Sequence, residues 1–383
     1  MDDQRTVKLL APFGFYGWGN IGDEATLQGF ARLVARSPQQ FRVWLGSRNP
    51  KHTALVEPSF RYFHAGQKDW RRWWANCRSD ALVFPGGTPI MDVLGEWPFC
   101  ELVPILELAN SRGKPVVFIG TGTERLERDE SKRLFGSAIA PRVRHWSVRC
   151  ARDKNRLTAY GVAAERITVA GDMAWLLEPQ SKDFGKRLLE KLGIVSNERL
   201  IAVNINSEAF MLKKEPNLCE KIGRFLDTAI ERYGFHALFL CNEVREDKTF
   251  DKATSLAILG SMKRQDRALL VPNEYRTPQQ MMSIIGCCDA TISSRFHFCL
   301  FSALQGVPFL AIQRSDKVED LCWDMDWPCG VSLENLSVPI LSDFFQEICH
   351  NAAALRDSLL NKSEFMRERA LKSSLTLDVL AGS

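Results

Sequence analysis

Short apolar runs alternate with longer stretches of helical character along nearly the whole chain. In the first half these runs occupy residues 7–13, 41–47, 81–87, 115–122, 145–150 and 167–172, and in the second half 200–206, 236–242, 268–273, 289–294 and 308–313. Several of them end in Gly, Ser or Asp, which is typical of strands that pass into loops. Strands that alternate with helices in this way predict parallel sheets with helices on both faces. We therefore expect an α/β protein built from doubly wound parallel sheets.

A break in this alternation divides the chain into two halves. Residues 176–199 introduce Pro, Gly and several charges between the two series of runs, and 383 residues are enough for two domains. We place the first domain at residues 1–178 and the second at residues 179–383. From Ser342 to Leu380, apolar residues recur at three- and four-residue spacings, which predicts helices that close the second domain or return to the first. We count these C-terminal helices with the second domain.

The composition excludes several classes of function. The chain carries 50 Lys and Arg against 46 Asp and Glu, a formal net charge of +4 without a long basic block, so nucleic acid is not an expected partner. The first residues lack the pattern of a signal peptide, and no run of about 18 apolar residues could span a bilayer. The 11 cysteines form no zinc-type pairs, and the five histidines other than His297 have no ligand spacing, so no metal is expected. We expect a cytoplasmic protein, and the composition fixes no oligomeric state.

A glycine-rich stretch, GFYGWGNIGDEA (14–25), follows the first predicted strand. Ligands of open parallel sheets bind beyond the carboxyl ends of the strands, so polar residues at this position are candidates for a site. The glycines allow close approach of a ligand to the backbone, and Asn20, Asp23 and Glu24 supply polar side chains around Gly22. The same letters also describe a tight turn before a helix that Asp23 caps. Both interpretations remain open on the residues alone.

Two further strand ends in the first half carry polar residues. Thr88 and Asp92 follow the third predicted strand in FPGGTPIMD (84–92). Arg149 ends the fifth in SVRCARD (147–153). Asp92 is therefore a candidate ligand contact and Arg149 a candidate anion contact. The structural alternatives are a glycine turn at a helix start for Asp92 and a surface ion pair for Arg149.

The clearest chemical signal lies in the second half, where Arg295 and His297 interrupt an apolar stretch, SSRFHFCLFSALQG (293–306). A buried guanidinium or imidazole is costly unless it is paired, so an internal carboxylate or a bound anion should meet Arg295. A guanidinium fork suits a carboxylate or phosphate, and a nearby imidazole can donate a proton. Lys317, after the next strand in QRSDK, adds a positive charge to the same cleft. A capping arginine beside a satisfied core histidine is the structural alternative.

These segments resemble the polysaccharide pyruvyl transferase family. The resemblance runs, in the family's order and over most of the chain, through YGWGNIGDEA (16–25), VFPGGTPIMD (83–92), SVRCARDKNRLTAYGV (147–162), GDMAWLL (171–177) and SSRFHFCLFSALQGVPFLAIQRSDK (293–317). It implies a GT-B-like fold, with two Rossmann-like doubly wound domains that face a central cleft and a helical C-terminal tail. It also implies a transferase that moves the pyruvyl group of phosphoenolpyruvate onto two sugar hydroxyls as a ketal, in cell-surface or exopolysaccharide biosynthesis, without a cofactor.

The resemblance also implies roles for the candidate residues of the second domain. Arg295 and His297 fall on the family's Arg-x-His motif, which is associated with phosphoenolpyruvate, and Lys317 falls on its trailing lysine. His297 and Arg295 are both implied as catalytic residues. His297 would act as the acid that protonates C3, while Arg295 and Lys317 hold the carboxylate and the phosphate and stabilise their charge. Arg149 of the first domain is implied as a further contact to the donor.

The acceptor side is assigned to the first domain, with Asp23 as a catalytic residue. The implied acceptor contacts are Asn20, Gly22, Asp23, Glu24 and Asp92. The expected acceptor is a sugar or a lipid-linked oligosaccharide, and peripheral association with membrane-bound polysaccharide machinery is a further expectation.

Two other functions remain open on the same scaffold. A GT-B glycosyltransferase with a nucleotide-sugar donor would need an acidic or hydroxyl contact to the ribose after a second-domain strand, for which Glu243 is a candidate. A catalytically inactive subunit that binds an anion within a polysaccharide-synthesis complex would keep the fold without turnover.

Overall fold

The computed structural model describes residues 5–12, 14–65, 75–93, 95–195, 197–244 and 250–381. The chain forms two compact units. Unit 1 comprises Met1–Trp18, Asp23–Leu177 and Met366–Ser383, and unit 2 comprises Gly19–Gly22 and Glu178–Phe365. Each unit is built around one parallel β-sheet whose strands are connected by helices.

Unit 1 contains a seven-stranded sheet. Its strands are β1 (Val7–Ala11), β2 (Phe41–Ser47), β3 (Arg61–His64), β4 (Ala81–Pro85), β5 (Val116–Thr121), β6 (His145–Val148) and β7 (Ile167–Val169). They pair in parallel in the order β3-β2-β1-β4-β5-β6-β7. Every residue of β4 and β5 is buried, as expected for central strands that are covered on both faces. Stacked rings of Phe84, Phe118 and Trp146, with centroids 4.6 and 4.4 Å apart, lie within this core.

Helices connect the strands of unit 1. They are α1 (Ile21–Arg36), α2 (Pro50–Val56), α3 (Phe99–Ser111), α4 (Asp129–Leu134) and α5 (Ala151–Ala159), with short helical turns at Phe135–Ile139, Ala140–Arg142, Ala164–Arg166 and Met173–Leu176. Helix α5 starts at a capping box in which the Asp153 N–H donates to Cys150 Sγ at 3.4 Å and the Cys150 N–H donates to the Asp153 carboxylate at 3.3 Å. This box fixes the chain directly after Arg149.

Unit 2 contains a six-stranded sheet. Its strands are β8 (Arg199–Asn204), β9 (Phe235–Phe239), β10 (Ala268–Leu270), β11 (Ala290–Ser293), β12 (Phe309–Gln313) and β13 (Gly330–Ser332). They pair in parallel in the order β10-β9-β8-β11-β12-β13.

The helices of the second half of the chain follow the same alternation. They are α6 (Asp183–Lys191), α7 (Ala209–Lys214), α8 (Leu218–Tyr233), α9 (Phe250–Ser261), α10 (Pro278–Ile285), α11 (Phe296–Leu304), α12 (Asp316–Asp324), α13 (Val338–His350), α14 (Ala352–Leu371) and α15 (Ser374–Ala381), with a short helical turn at Gln265–Arg267. Among the helices in the described part of the chain, none is both long and apolar enough to cross a bilayer.

Both sheets reverse their strand order beside the first strand of the unit. Strand β1 lies between β2 and β4, and β8 lies between β9 and β11. The loops after these strands therefore flank a topological switch point, where ligands of open α/β sheets bind. The glycine-rich stretch follows β1 and Arg295 follows β11, so each lies at the switch point of its sheet.

The predicted apolar runs all contain strands of the structure, and the two strands that were not predicted lie at sheet edges. Strand β3 has a single buried residue, Phe63, and β13 is only three residues long. Such short strands carry little of the apolar signal on which the prediction depends. The predicted class, two parallel-sheet α/β domains with a helical C-terminal tail, is confirmed.

The sequence places the C-terminal helices in the second domain, whereas the structure divides them between the units. Residues up to Phe365 belong to unit 2, and Met366–Ser383 belongs to unit 1. There the Ser373 and Ser147 hydroxyls are hydrogen-bonded with 2.6 Å between their oxygens, and Leu377 is fully buried. Apolar spacing predicts that a segment is helical but not which core it covers, which explains the difference.

Candidate active site

The glycine-rich stretch forms the turn between β1 and α1. Gly17 and Gly19 have φ angles of 73° and 76°, a left-handed conformation that favours glycine. Helix α1 begins directly after Asn20, whose Oδ1 accepts the Gly22 N–H at 3.1 Å. The capping residue is therefore Asn20, and the interpretation of Asp23 as the cap is wrong because Asp23 lies within the first turn.

Asn20 is held within unit 2 by the loop after β9. Its Oδ1 also accepts a hydrogen bond from Asn242 Nδ2 at 3.2 Å, and the Val244 N–H donates to Gly19 O at 2.8 Å. A Cβ on Gly19 would lie 2.1 Å from Val244 O, so a larger residue would not fit there. The hydrogen bonds from Gly22 and Asn242 both use the amide oxygen of Asn20. The predicted contact between Asn20 and an acceptor would therefore be made by its Nδ2 group.

Gly22 packs directly against the imidazole of His297 in unit 2. A Cβ added to Gly22 would lie 2.1 Å from His297 Nδ1 and 2.6 Å from Cγ. The half-buried imidazole also meets the ring of Phe296 edge-on, with centroids 5.0 Å apart. The structure therefore brings together Gly22, predicted for the acceptor, and His297, predicted as the acid.

Glu24 is a fully buried carboxyl group of unit 1. Its Oε1 accepts the Gly17 N–H at 2.7 Å, whereas its Oε2 has no hydrogen-bond partner in the described part of the chain. Burial raises the pKa of Glu24 to about 7; the Gly17 N–H opposes this shift and the charge of Asp23 adds to it. A carboxyl group with this pKa can take up or release a proton near neutral pH, as general acid–base catalysis requires.

Asp23 lines a small cavity of unit 1 beyond the ends of β1 and β4. The cavity has a volume of about 40 Å³ and is lined by Gly14, Phe15, Tyr16, Asp23, Thr26, Phe84, Pro85, Gly86, Gly87, Thr88, Pro89, Trp97 and Pro98. The Tyr16 hydroxyl donates to Pro85 O. Burial and the nearby Asp23 and Glu24 keep the pKa of Tyr16 well above its ordinary value. The structure thus brings Asp23, from the first turn of α1, and Thr88, from the loop after β4, to one cavity.

Asp92 is buried but is not among the residues that line this cavity. Its two carboxylate oxygens accept the N–H groups of Glu127 and Arg128 at 3.2 and 2.8 Å. The side chain thereby fixes the loop that leads into α4. These contacts favour a structural role for Asp92 over the predicted contact with an acceptor.

Arg149 is paired inside unit 1. Its Nη2 lies 2.7 Å from Asp172 Oδ2, and its Nε donates to Gly120 O at 3.2 Å. The Thr26 hydroxyl donates to Asp172 Oδ1 at 3.2 Å. The side chains of Arg149 and Asp172 are only 10% and 0% exposed, so this is an internal ion pair and not the surface pair that the sequence offered as an alternative.

Arg295 lies between two buried carboxylates of unit 2. Its Nε and Nη2 donate to Asp251 Oδ1 at 3.2 and 2.7 Å, and its Nη2 also donates to Glu243 Oε2 at 2.5 Å. All three side chains are at most 10% exposed. The sequence requires an internal carboxylate or a bound anion opposite Arg295, and the structure supplies two carboxylates. Arg295 is also the residue directly before α11, so this arrangement fixes the start of that helix.

Asp251 connects Arg295 through hydrogen bonds to residues at and after the ends of β8 and β9. Asn204 Nδ2 and the Asn242 N–H donate to Asp251 Oδ2 at 3.2 and 2.9 Å, and Asn206 Nδ2 donates to its Oδ1 at 3.1 Å. Burial alone would raise the pKa of Asp251, but the charge of Arg295 and these hydrogen bonds outweigh burial and hold the pKa below its ordinary value. The carboxylate therefore stays ionised at neutral pH and holds the guanidinium in one position.

Arg314, at the end of β12, is a second cation beside Arg295. Its Nη1 donates to Asn206 Oδ1 at 3.2 Å and lies 3.2 Å from Glu208 Oε2. Burial and the charge of Arg295 lower the pKa of Arg314. The Glu208 carboxylate is 34% exposed, so it compensates Arg314 less completely than the two buried carboxylates compensate Arg295. A bound anion would relieve the remaining repulsion between the two guanidinium groups.

His297 and Lys317 stand in the first turns of α11 and α12. Both side chains are half-buried. The N–H groups and the helix dipole at such positions favour anions. Because α11 follows β11 and α12 follows β12, these two predicted donor residues lie at the same edge of the sheet as Arg295 and Arg314.

Asp251 and Arg314 are two residues of unit 2 that the sequence analysis missed. Asp251 precedes Arg295 by 44 residues and stands in a helical segment where no pattern marks it. Arg314 follows directly after a predicted strand in QRSDK, so the strand-end rule that selected Lys317 would also have found it. Glu243, the candidate for a ribose contact, is instead bonded to Arg295.

Several solved structures share this fold over nearly the whole chain. The UDP-GlcNAc 2-epimerase of Neisseria meningitidis, bound to UDP-GlcNAc, has a TM-score of 0.59 at 10% identity, covering 96% of this chain and 100% of that one. HepE of Anabaena, in complex with UDP-glucose, has a TM-score of 0.63 at 11% identity, covering 99% and 100%. A glycosyltransferase of Rickettsia africae has a TM-score of 0.56 at 12% identity, covering 99% and 98%. At these identities the likeness shows the fold alone, and it confirms the GT-B-like class.

The family is shown by a separate comparison. Residues 20–316 match the family model described as polysaccharide pyruvyl transferase. The matched range begins at Asn20 and includes Arg149, Arg295 and His297. The chain therefore belongs to the polysaccharide pyruvyl transferase family. No curated protein sequence matches it significantly.

Proposed function

We propose that this protein transfers the pyruvyl group of phosphoenolpyruvate to two hydroxyls of a sugar in a cell-surface or exopolysaccharide precursor. The observation that supports this most directly is the position of two arginines, a histidine and a lysine shortly after the neighbouring strands β11 and β12 in a member of this family. Phosphoenolpyruvate carries a carboxylate and a phosphate next to a double bond. A site for it therefore needs cations for both anionic groups and a proton donor for the double bond.

The proposed reaction balances with groups of this kind. A proton adds to C3 of phosphoenolpyruvate while a sugar hydroxyl attacks C2, which gives a tetrahedral intermediate that carries a methyl group and the phosphate. The bond from C2 to the phosphate oxygen then breaks, and a second hydroxyl forms the second C–O bond of the ketal. One of the two hydroxyl protons replaces the proton taken up at C3, and the other leaves with phosphate. The protein must supply an acid, a base and fixed positive charge.

In unit 2 we assign the proton donor to His297 and the anion contacts to Arg314 and Lys317. Arg314 is favoured because its guanidinium is buried beside Arg295 and its carboxylate partner is partly exposed. Arg295 is already bonded to two carboxylates, so we assign it the positioning of α11 and of His297, two residues further along. Arg149 is the less favoured anion contact because it is bonded within unit 1.

In unit 1 we assign the acceptor hydroxyls to the cavity that Asp23 lines. Asp23 is the proposed base for the attacking hydroxyl. Glu24 is the second candidate, since burial places its pKa at about 7 and one of its oxygens has no hydrogen-bond partner among the described residues. The proposed acceptor is a sugar unit, either free or within a lipid-linked oligosaccharide.

A nucleotide-sugar glycosyltransferase is the second candidate function. The observation that favours it is the shared fold with structures that contain UDP-glucose or UDP-GlcNAc. For such a donor, the candidate contact to the ribose in unit 2 is Glu243. Its Oε2 accepts a hydrogen bond from Arg295 at 2.5 Å, so a ribose would have to compete with this ion pair. We therefore favour phosphoenolpyruvate as the donor.

Calorimetry with phosphoenolpyruvate and with UDP-glucose tests the donor. We expect phosphoenolpyruvate to bind, and Arg314→Gln to weaken binding by about tenfold or more because a charge-assisted contact is lost. The matched control is Arg264→Gln, which removes a surface guanidinium of unit 2 that pairs with Asp266, and it should leave the affinity unchanged.

Phosphate release with a panel of sugar acceptors tests turnover. We expect Asp23→Asn to retain phosphoenolpyruvate binding and to lose phosphate release. Binding of UDP-glucose without binding of phosphoenolpyruvate would replace the proposal by the glycosyltransferase. Phosphoenolpyruvate binding without phosphate release from any acceptor would favour an inactive, anion-binding subunit.

A further inference from the structure

Three aromatic side chains form a half-buried cluster in unit 1. Phe15 stacks on Trp18 with ring centroids 5.4 Å apart and meets Trp97 edge-on at 5.0 Å. The guanidinium of Arg48 lies over the Trp18 ring, 5.1 Å from its centroid. All three rings belong to loops, where large aromatic side chains are characteristic of binding surfaces and not of a packed core.

Two of these rings also form the wall of the cavity that Asp23 lines. Phe15 and Trp97 both border it, together with the hydroxyl-bearing Thr88 and the backbone of Gly87. A Cβ on Gly87 would meet no atom within 4 Å, so the space above this part of the wall is open. The cavity volume of about 40 Å³ admits a hydroxyl or hydroxymethyl group but not a whole sugar ring. A ligand would therefore lie across the mouth and place one edge inside.

We propose that this aromatic-walled cavity binds a pyranose ring of the acceptor. A pyranose presents C–H groups on its face, which pack on aromatic rings, and hydroxyls on its edge, which donate to carboxylates. Phe15 and Trp97 contact the face, and Asp23 accepts from a hydroxyl on the edge that enters the cavity. The identity of this sugar as an acceptor rests on the proposed function, whereas the binding of a sugar at this place does not require phosphoenolpyruvate.

The charge of the cavity favours an uncharged sugar over a nucleotide. Aromatic rings also stack on nucleobases, so the rings alone do not separate the two ligands. Asp23 contributes a carboxylate to the cavity. A nucleoside diphosphate would bring its negative charges towards this carboxylate, which disfavours it by Coulomb repulsion.

Saturation-transfer difference NMR on the full chain tests this inference without phosphoenolpyruvate. The probes are methyl β-D-glucopyranoside, methyl α-D-mannopyranoside and methyl N-acetyl-β-D-glucosaminide. We expect transfer to the C–H protons of one ring face of at least one glycoside, and a loss of about fivefold or more in its affinity in Trp97→Ala. Trp97→Phe should retain most of the affinity because it keeps an aromatic wall. Trp323→Ala, which removes a 74% exposed indole of unit 2, is the control and should change nothing.

The outcomes separate this inference from the proposed function. Glycoside binding that depends on Trp97, in a protein that does not bind phosphoenolpyruvate, would support the inference and overturn the proposed donor. In a protein that turns over, Trp97→Ala should raise the KM for the acceptor and leave phosphoenolpyruvate affinity unchanged. No transfer to any of the three glycosides, or transfer that a folded Trp97→Ala variant retains in full, would overturn the inference. Transfer to uridine alone, lost in Trp97→Ala, would also overturn it and reassign the cavity to a nucleobase.

Discussion

The two units each bury an ionisable side chain near the start of a helix, and they compensate it in opposite ways. In unit 1, Glu24 receives one hydrogen bond, from the Gly17 N–H, and its second oxygen has no hydrogen-bond partner among the described residues. In unit 2, Arg295 makes three hydrogen bonds to two carboxylates, those of Asp251 and Glu243. Burial is nearly complete in both places, so the difference lies in the partners.

This difference separates a group that can change its charge from one that cannot. Burial without a counter-charge moves the pKa of Glu24 to about 7, where a small change of surroundings adds or removes a proton. At Arg295 burial alone would lower the pKa, but the two carboxylates outweigh burial and raise it. Unit 1 therefore offers acid–base chemistry at the carboxyl group, and unit 2 offers a fixed positive charge that organises its surroundings.

The largest loss of stability is expected when the positive partner of the two buried carboxylates in unit 2 is removed. Arg295→Met leaves the buried Asp251 and Glu243 without the guanidinium to which both are hydrogen-bonded, which should cost about 3–5 kcal/mol in the free energy of unfolding. Urea denaturation at neutral pH measures this loss. The deficit should shrink as the pH falls towards about 4, because protonation then removes the uncompensated charges in the variant.

A neutral version of the same cluster is the control for this variant. The triple variant Arg295→Met, Asp251→Asn and Glu243→Gln removes all three charges and should recover much of the lost stability. A single Arg295→Met variant as stable as the natural protein would show that the ion pairs do not hold this part of unit 2. The expected loss also means that reduced phosphoenolpyruvate binding in an Arg295 variant would not by itself identify a donor contact.

The next largest effect is expected at Glu24, through the pH dependence of stability. In the folded protein Glu24 holds its proton up to about pH 7, whereas in the unfolded chain a glutamate releases it near pH 4.5. Between these values the unfolded chain binds fewer protons than the folded protein, so rising pH favours unfolding. The shift corresponds to a loss of about 3 kcal/mol across that window. Glu24→Gln cannot ionise, so relative to this variant the natural protein should lose that amount between about pH 4.5 and about pH 8.

Measuring the difference between two proteins cancels the titration of all other groups. Urea denaturation of the natural protein and of Glu24→Gln, repeated across the pH range, gives this difference directly. Glu130→Gln, a substitution at an exposed carboxylate of α4, is the matched control and should run parallel to the natural protein. If the stability of Glu24→Gln also changes with pH in the same way as that of the natural protein, the charge of Glu24 is compensated. The two units would then not differ in how they compensate a buried charge.

The sequence predicted the two sheets and the need of Arg295 for a partner, but it did not predict which residues compensate the charge of a buried side chain. Alternating apolar runs predicted both parallel sheets, and an arginine within an apolar run identified Arg295 as a residue that needs a partner. Those partners lie 44 and 52 residues away in the chain, and no spacing connects them to Arg295. Glu24 is harder still, because the missing partner of its Oε2 depends on the packing of several segments around it. The sequence offered Asp23 as the cap of α1, whereas Asn20 is the cap, because the helix begins a few residues earlier than its acidic residues suggest.

A smaller loss of stability is expected from a substitution that tests whether His297, like Arg295, is held in one position within unit 2. In Gly22→Ala the new Cβ would lie 2.1 Å from His297 Nδ1 and 3.0 Å from its Cβ, so rotation of the ring tip alone would not relieve the clash. We expect a loss of about 1–3 kcal/mol in the free energy of unfolding. Displacement of the proposed acid should also lower kcat for phosphate release more than it weakens phosphoenolpyruvate binding.

Gly260→Ala gives the matched control, because Gly260 also lies in a helix but a Cβ there would meet no atom within 4 Å. With space available, alanine should stabilise α9 by about 0.5–1 kcal/mol through its higher helix propensity. The two substitutions therefore have opposite expected signs although the chemical change is the same. If Gly22→Ala were stabilising as well, the imidazole of His297 would have room to move, and Gly22 would not hold the proposed acid in place. If Gly22→Ala is destabilising and slows turnover at unchanged phosphoenolpyruvate affinity, Gly22 acts by positioning His297.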